Sequence, residues 1–209
     1  IGLYFLTVVK YHIQTYNLLV IVLKDIHLIF FTKRVKLIIN KKNLFAATLQ
    51  IFQFDNEEMR PLIDEVHSKK NLITKTPSSY NYYTDYKNPT QLYEYEKLIN
   101  EVAKKYSNEG LTLNLLNYWT AVYGNNSTHG AHQHDSMNVN FSTVLYLTNG
   151  GATTFLAPHN ATNQRVYDEE STIGKLIIFP STLWHHATYS GDLERIIISS
   201  NIQIYGQKN

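Results

Sequence analysis

The 209-residue chain contains no cysteine. Disulfides, thiolate zinc sites, iron–sulfur clusters and cysteine nucleophiles are therefore excluded, and any metal must be held by histidine, carboxylate or water. A nitrogen and oxygen donor set favours iron, manganese or zinc. Charge is scarce too: 17% of the residues are charged, and the formal net charge is +2 with histidine neutral. That is too small to point to nucleic acid as a partner on electrostatic grounds. Long apolar runs are missing as well. The stretch 18–31 is apolar but broken by Lys24, Asp25 and His27, whereas a membrane span needs roughly 20 mainly apolar residues. No span is expected there, and no basic start or small-residue cleavage site frames the stretch as a leader. What is present is a globular composition, 44% hydrophobic, in a chain long enough for one sizeable core.

Residues 1–42 carry none of the turn and capping signals found later, and the first methionine is Met59. They are expected to be an extension, either upstream sequence read in frame or an added strand or helix, preceding a domain at 43–209. Residues 44–54 read as a strand. Asp55 and Glu58 have capping-box spacing for a helix through Val66, which Pro61 is expected to delay or kink. Leu92, Tyr95, Leu98, Ile99, Val102 and Tyr106 recur at helical spacing between Pro89 and Gly110. The polar, tyrosine-rich segment 74–88 between them reads as a loop. After Gly110 the pattern changes to short strands at 111–123, 140–147, 152–156, 175–179 and 196–205, with turn residues such as Gly150-Gly151 between them. A block of helices followed by a run of strands predicts an α+β fold, with helices packed on an antiparallel barrel.

Six of the nine histidines lie between residues 129 and 186. On a strand, residues i and i+2 point to one face. His132 and His134 can thus converge on one metal while Gln133 faces away. A third ligand must come from a distant strand, where His185 and His186 stand after Phe179-Pro180. Three protein ligands leave open coordination positions, which redox chemistry and substrate binding both need. His129 either supports a ligand from behind or is solvated, with solvation the expected outcome, and Trp119 and Trp184 are expected to serve as packing.

The ordered set of motifs over some 75 residues carries a resemblance. It comprises His132-Gln-His134, Phe141 to Leu147, Gly150-Gly151 to Phe155, Gly174 to Pro180, Trp184-His185 and Arg195 to Asn201. Over about residues 43 to 205 it resembles the 2-oxoglutarate/Fe(II) dioxygenase superfamily, near its prolyl-hydroxylase-like group. It is most similar to small bacterial and phage members with a His-x-His first motif. The resemblance implies a double-stranded β-helix, that is, a jelly-roll or cupin-like barrel with supporting N-terminal helices. It also implies Fe(II), 2-oxoglutarate and O2 as cofactor and co-substrates, a cytoplasmic location, and hydroxylation of a peptidyl or small-molecule substrate with release of succinate and CO2. Matched by motif, His132 and His185 are metal ligands, and Arg195 pairs with the far carboxylate of 2-oxoglutarate. Tyr146, Tyr123 and Ser199 are expected near that carboxylate. Most of the superfamily has His-x-Asp. Here His134 holds the second position and Asp135 is one further on, so the third ligand is His134 or, after a bulge, Asp135; the His-x-His subgroup favours His134. Two other readings remain. One is a cupin-like metal barrel without 2-oxoglutarate, which Arg195 on the strand after His185 argues against. The other is a non-catalytic structural barrel, which the combined His, His, Arg set argues against.

Overall fold

The computed structural model describes residues 7–13, 16–23, 26–32, 40–44, 47–74, 78, 82–134, 139–156, 165–189 and 191–206; for 7–44, 165–166 and 188 it describes the backbone alone. Asp135 and His159 lie outside the described residues. The chain divides into two compact units, residues 1–36 and 37–209. In the first, β1 (Thr7–Ile13), β2 (Tyr16–Leu23) and β3 (Ile26–Thr32) form an antiparallel sheet in that order. The described residues of the segment read as an extension, either upstream sequence or an added strand or helix, form strands, as their Val, Ile, Tyr and Phe content favours.

The second unit opens with β4 (Asn40–Leu44) and β5 (Ala47–Gln53), an antiparallel pair in which Leu44 lies opposite Ala47. Next come α1 (Asn56–Ser68) and α2 (Lys70–Ile73). The capping box forms as expected: Glu58 N donates to Asp55 Oδ1 at 2.8 Å and Asp55 N to Glu58 Oε2 at 3.0 Å. Pro61 does not delay the helix, which starts at Asn56 and runs through it. A short strand, β6 (Tyr82–Thr84), lies in the segment read as a loop. The next helix, α3 (Tyr93–Asn108), has Leu92 at its N-cap with no capping side chain. Instead, Glu65 of α1 accepts from the backbone N–H groups of Tyr93 and Glu94 at 3.0 and 2.9 Å, a carboxylate on the positive end of the helix.

The remaining strands are β7 (Leu111–Tyr123), β8 (Ser127–His132), β9 (Phe141–Tyr146), β10 (Ala152–Leu156), β11 (Arg165–Glu170), β12 (Lys175–Pro180), β13 (His185–Tyr189) and β14 (Arg195–Gly206). They build two sheets, ordered β4-β5-β12-β9-β14-β7-β6 and β11-β10-β13-β8, and every pairing is antiparallel. This is the α+β double-stranded β-helix. Both faces of the larger sheet are buried at its centre. On β12, Leu176 and Ile178 join the helix-covered core, while Ile177 and Phe179 join the core between the sheets. The same alternation on β14 sends Ile196 and Ile198 towards the helices and Ile197 inwards, so the period of two puts Arg195 on the inner face. No helix among the described residues is long and apolar enough to cross a membrane.

Two substitutions separate local from global stabilisation. Asp55→Ala, which removes the cap of α1, is expected to cost about 1 kcal/mol. Leu176→Ala, at a fully buried position, is expected to cost about 2–5 kcal/mol because it opens a cavity. Urea unfolding of both variants against the parent checks the order.

Candidate metal centre

Three imidazoles converge at one mouth of the space between the sheets. His132, the last residue of β8, pairs directly across from His185, the first residue of β13. His134 lies beyond the end of β8; its backbone N–H donates to the Ser181 carbonyl at 2.8 Å. The convergence expected from an i, i+2 strand pair is therefore reached with only His132 on the ladder. One ring nitrogen from each of the three residues lies within 4.8 Å of the other two. Ring centroids are 4.3 Å apart for His132 and His185, and 5.2 Å for His132 and His134.

Backbone carbonyls select the tautomers. His132 Nδ1 is 2.8 Å from the Gly130 carbonyl oxygen, and His185 Nδ1 is 2.9 Å from that of Leu183. A carbonyl only accepts, so both Nδ1 atoms carry the proton and both Nε2 lone pairs are free for a metal. Burial also keeps the rings neutral. His134 is pushed down to about 4 by burial and then by His132, while burial and neighbouring imidazoles hold His185 well below its usual value. Burial lowers His132 too, against a contribution from the Gly130 carbonyl. Uncharged imidazoles are the form that ligates metal.

At the other end of the same space, Arg195 is fully buried. Its guanidinium lies 5.1 Å from the Tyr123 ring centroid and 5.5 Å from that of Tyr146. Nη2 faces Thr153 Oγ1 at 3.5 Å, and Thr153 Oγ1 also accepts from the Tyr146 hydroxyl at 2.8 Å. Nε and Nη1 have no hydrogen-bond partner, and among the described residues no carboxylate pairs with this cation. Glu169, across the ladder from Thr153, is engaged elsewhere: its carboxylate binds Lys175 at 2.7 Å and Tyr167 at 2.5 Å. Burial raises both tyrosines, Tyr146 to about 12, against the influence of Arg195, so both keep their protons. Gly151 makes room for the guanidinium. A Cβ there would lie 3.0 Å from Arg195 Cδ and 3.0 Å from Tyr189 Cδ2.

The other expected residues fall as follows. Ser199 is half-buried on the same face of β14 as Arg195, but four residues on, about 13 Å away at the rise of a strand; the hydroxyl at the guanidinium is that of Thr153. His186 pairs across from Thr154. His129 is not solvated: it is half-buried and stacks on His132 at 4.0 Å, with Tyr82 at 5.1 Å on its other contact. Burial, His132 and His134 lower it to about 3. Trp119 does pack, against His134 at 5.7 Å. Sequence reading missed Tyr82, Thr153 and Asn201, whose side chain hydrogen-bonds His134. Asn201 was within reach, because it follows Arg195 at an even spacing on one strand.

Fold and site together define a double-stranded β-helix protein with a three-histidine cluster and a buried arginine that has no carboxylate partner among the described residues. Its fold is that of prolyl hydroxylases and other 2-oxoglutarate/Fe(II) oxygenases. A Pseudomonas putida prolyl-4-hydroxylase is similar over 80% of this chain and 93% of its own, at 16% identity and a TM-score of 0.54. A Trichoplax adhaerens prolyl hydroxylase, solved with a hypoxia inducible factor oxygen degradation domain peptide fragment, is similar over 74% and 82%, at 12% identity and a TM-score of 0.56. The non-heme alpha ketoglutarate dependent epimerase SnoN from nogalamycin biosynthesis is similar over 76% and 80%, at 14% identity and a TM-score of 0.54. At these identities the likeness is one of fold. No protein-family model matches the chain, and no curated protein matches it.

Because burial holds these histidines low, the metal-free protein is expected to lose stability in acid. Their folded-state values lie below the ordinary 6.5, so as pH falls the unfolded chain takes up protons first. Stability is full above about pH 6.5 and declines below it, by about 1.4 kcal/mol per pH unit for each histidine concerned, until the folded-state values are reached. Urea unfolding between about pH 7.5 and pH 5 checks this, and a pH-independent stability over that range would contradict it.

Proposed function

We propose that this chain is an Fe(II)- and 2-oxoglutarate-dependent oxygenase that hydroxylates a peptidyl or small-molecule substrate, with release of succinate and CO2. One observation carries the reading: a fully buried guanidinium with two unpartnered nitrogens is joined to the histidine cluster through the rings of Tyr123, Tyr82 and His129. A buried cation is costly unless paired, and a dicarboxylate spanning from metal to arginine answers that cost. A cupin-like barrel without the co-substrate has no use for Arg195.

In this reading His132, His134 and His185 hold the iron, with His134 rather than Asp135 as the third ligand. The iron with bound 2-oxoglutarate supplies activation of O2 and oxidation of a substrate C–H bond. The protein's part is binding, orientation and exclusion of water. Arg195 would hold the far carboxylate through its guanidinium, whose planar array of N–H donors matches a carboxylate and whose Nε and Nη1 have no other partner. Tyr146 and Tyr123, kept neutral by burial, flank the cation without adding negative charge. Phe155 and Phe179, 6.2 and 4.8 Å from His185, exclude water beside the metal. His129, stacked on His132, limits rotation of that ring. Three neutral ligands leave Fe(II) plus a dianionic co-substrate at zero net charge.

His185→Ala is expected to abolish Fe(II) binding and His186→Ala to leave most of it, read by anaerobic metal titration. The reverse result would move the ligand by one residue. Anaerobic Fe(II) with 2-oxoglutarate should produce a weak visible charge-transfer band. Arg195→Lys keeps the charge but loses the fork, and should weaken 2-oxoglutarate about tenfold or more, or roughly 1.5–3 kcal/mol, with iron binding retained. Equal affinities of the two proteins would remove Arg195 from the site and put the cupin-like reading ahead.

A further inference from the structure

The three histidines of the cluster are not held alike. His132 ends β8 and His185 begins β13, neighbouring strands of the smaller sheet, and the two lie opposite each other in the ladder. Each ring meets a backbone carbonyl two residues earlier in the chain, at Gly130 and at Leu183. His134 stands past the end of β8, tied by its backbone N–H to the Ser181 carbonyl at 2.8 Å. One backbone bond leaves both torsions of the side chain unset. The orientation of this ring therefore has to come from other side chains.

Those side chains belong mainly to the larger sheet. Trp119 of β7 lies 5.7 Å from the His134 ring, with 22° between the planes. His185 lies 5.4 Å away and 7° from parallel. Trp119 is itself buried, and Tyr86 meets it edge-on at 5.0 Å, so the indole is held in turn. These contacts fix the plane of the His134 ring. They do not fix which ring atom points towards His132 and His185, because a half-turn about the bond that carries the ring preserves both contacts.

Asn201 removes that ambiguity. It is buried on β14, opposite both Ser142 of β9 and Asn117 of β7. Its Oδ1 accepts from Ser142 Oγ at 3.3 Å, and its Nδ2 donates to Asn117 Oδ1 at 3.0 Å. The amide is thus oriented from both sides. Its oxygen has a second lone pair, and the His134 ring is the partner that remains. A carboxamide oxygen only accepts. The ring nitrogen that meets it carries the proton, and the other nitrogen keeps its lone pair for the cluster.

We propose that Trp119 and Asn201 are positioning residues for His134: Trp119 sets the plane of the ring, and Asn201 takes its N–H and turns the other nitrogen towards His132 and His185. The inference rests on the three-histidine reading of the metal centre and adds that this centre is completed across the barrel. Two ligands stand on the smaller sheet, and the third is presented by side chains of the larger one. An aspartate in place of His134 would have no tautomer to select, so Asn201 meets a need that the third histidine creates.

Asn201→Leu keeps the bulk of the side chain and removes the acceptor. Anaerobic titration should show Fe(II) affinity lower by about tenfold or more. Because Asn201 acts through His134, the same change in a His134→Ala protein should cost nothing further. A general loosening of the barrel would instead add in full. Trp119→Leu should behave likewise in both backgrounds. Asn201→Asp retains an acceptor and should bind Fe(II) at least as tightly as the parent. The metal-free protein gives an independent readout. With 15N in the histidine rings, His134 should show one neutral tautomer in the parent and a mixture in Asn201→Leu, while His132 and His185 stay unchanged. Additive losses, an Asn201→Asp protein as weak as Asn201→Leu, or an unaltered His134 tautomer would each overturn the proposal. A parent protein that shows the single tautomer yet takes up no Fe(II) would uphold the positioning of His134 and reject the iron reading.

Discussion

A positive charge enclosed between two β-sheets has to be matched by negative charge, and this requirement organises the inner surface of the barrel. Taking a guanidinium out of water costs several kcal/mol even after relaxation. Arg195 is nevertheless fully buried, with two N–H groups unmet. Its surroundings are shaped to hold the cation without neutralising it. Two tyrosine rings flank it, Thr153 offers a hydroxyl, Gly151 leaves space for the stem, and the carboxylate of Glu169 is already taken by Lys175 and Tyr167. A side chain arranged like this supports the proposal that an anion is bound here.

The histidine end of the same space follows a complementary logic. There the protein withholds charge: burial and mutual proximity keep the imidazoles neutral, and carbonyls at Gly130 and Leu183 turn two lone pairs inwards. A divalent ion bound there keeps its full charge, since none of the three rings supplies a negative one. Anion affinity at one end and an undiminished cation at the other suit a ligand with carboxylates at both ends. The supports of this cluster come from several elements: His129 and Tyr82 behind His132, Trp119 and Asn201 beside His134, and Phe179 edge-on to His185.

The two cores explain how such a site persists in a small domain. The helices cover only one face of the larger sheet, and the apolar contacts among Phe52, Met59, Leu62, Val102, Leu145 and Ile198 form there. The inner face is then free to carry arginine and tyrosines, opposite the histidines of the smaller sheet, among fewer apolar residues. Strand alternation is the device that separates the two tasks. Ile196 and Ile198 serve the helix side while Arg195 and Asn201, on the same strand, serve the site.

Much of this was legible in the sequence wherever a local rule governs it. Helical periodicity marked the buried stripe of α3, the Asp55 and Glu58 spacing marked the start of α1, and turn residues bounded β7, β10 and β12 closely. The separation of His132, His185 and Arg195 along an ordered motif series pointed to one site. What escaped depended on partners distant in the chain. Tyr82 to Thr84 is too short to announce a strand, and pairs only because β7 offers it an edge. β11 and β13 carry polar residues on strands of the smaller sheet, so the apolar signal was weak. His129 was read as solvated because no local pattern reveals that Tyr82 and His132 enclose it. The sequence by itself determined which residue types stand in the ordered motifs and their period along each strand, because both are properties of neighbours in the chain. Only the tertiary structure decided that His134 joins the cluster from outside the ladder, that Thr153 rather than Ser199 stands at the guanidinium, and that Arg195 has no acidic partner among the described residues, because each of these depends on strands brought together from far along the chain.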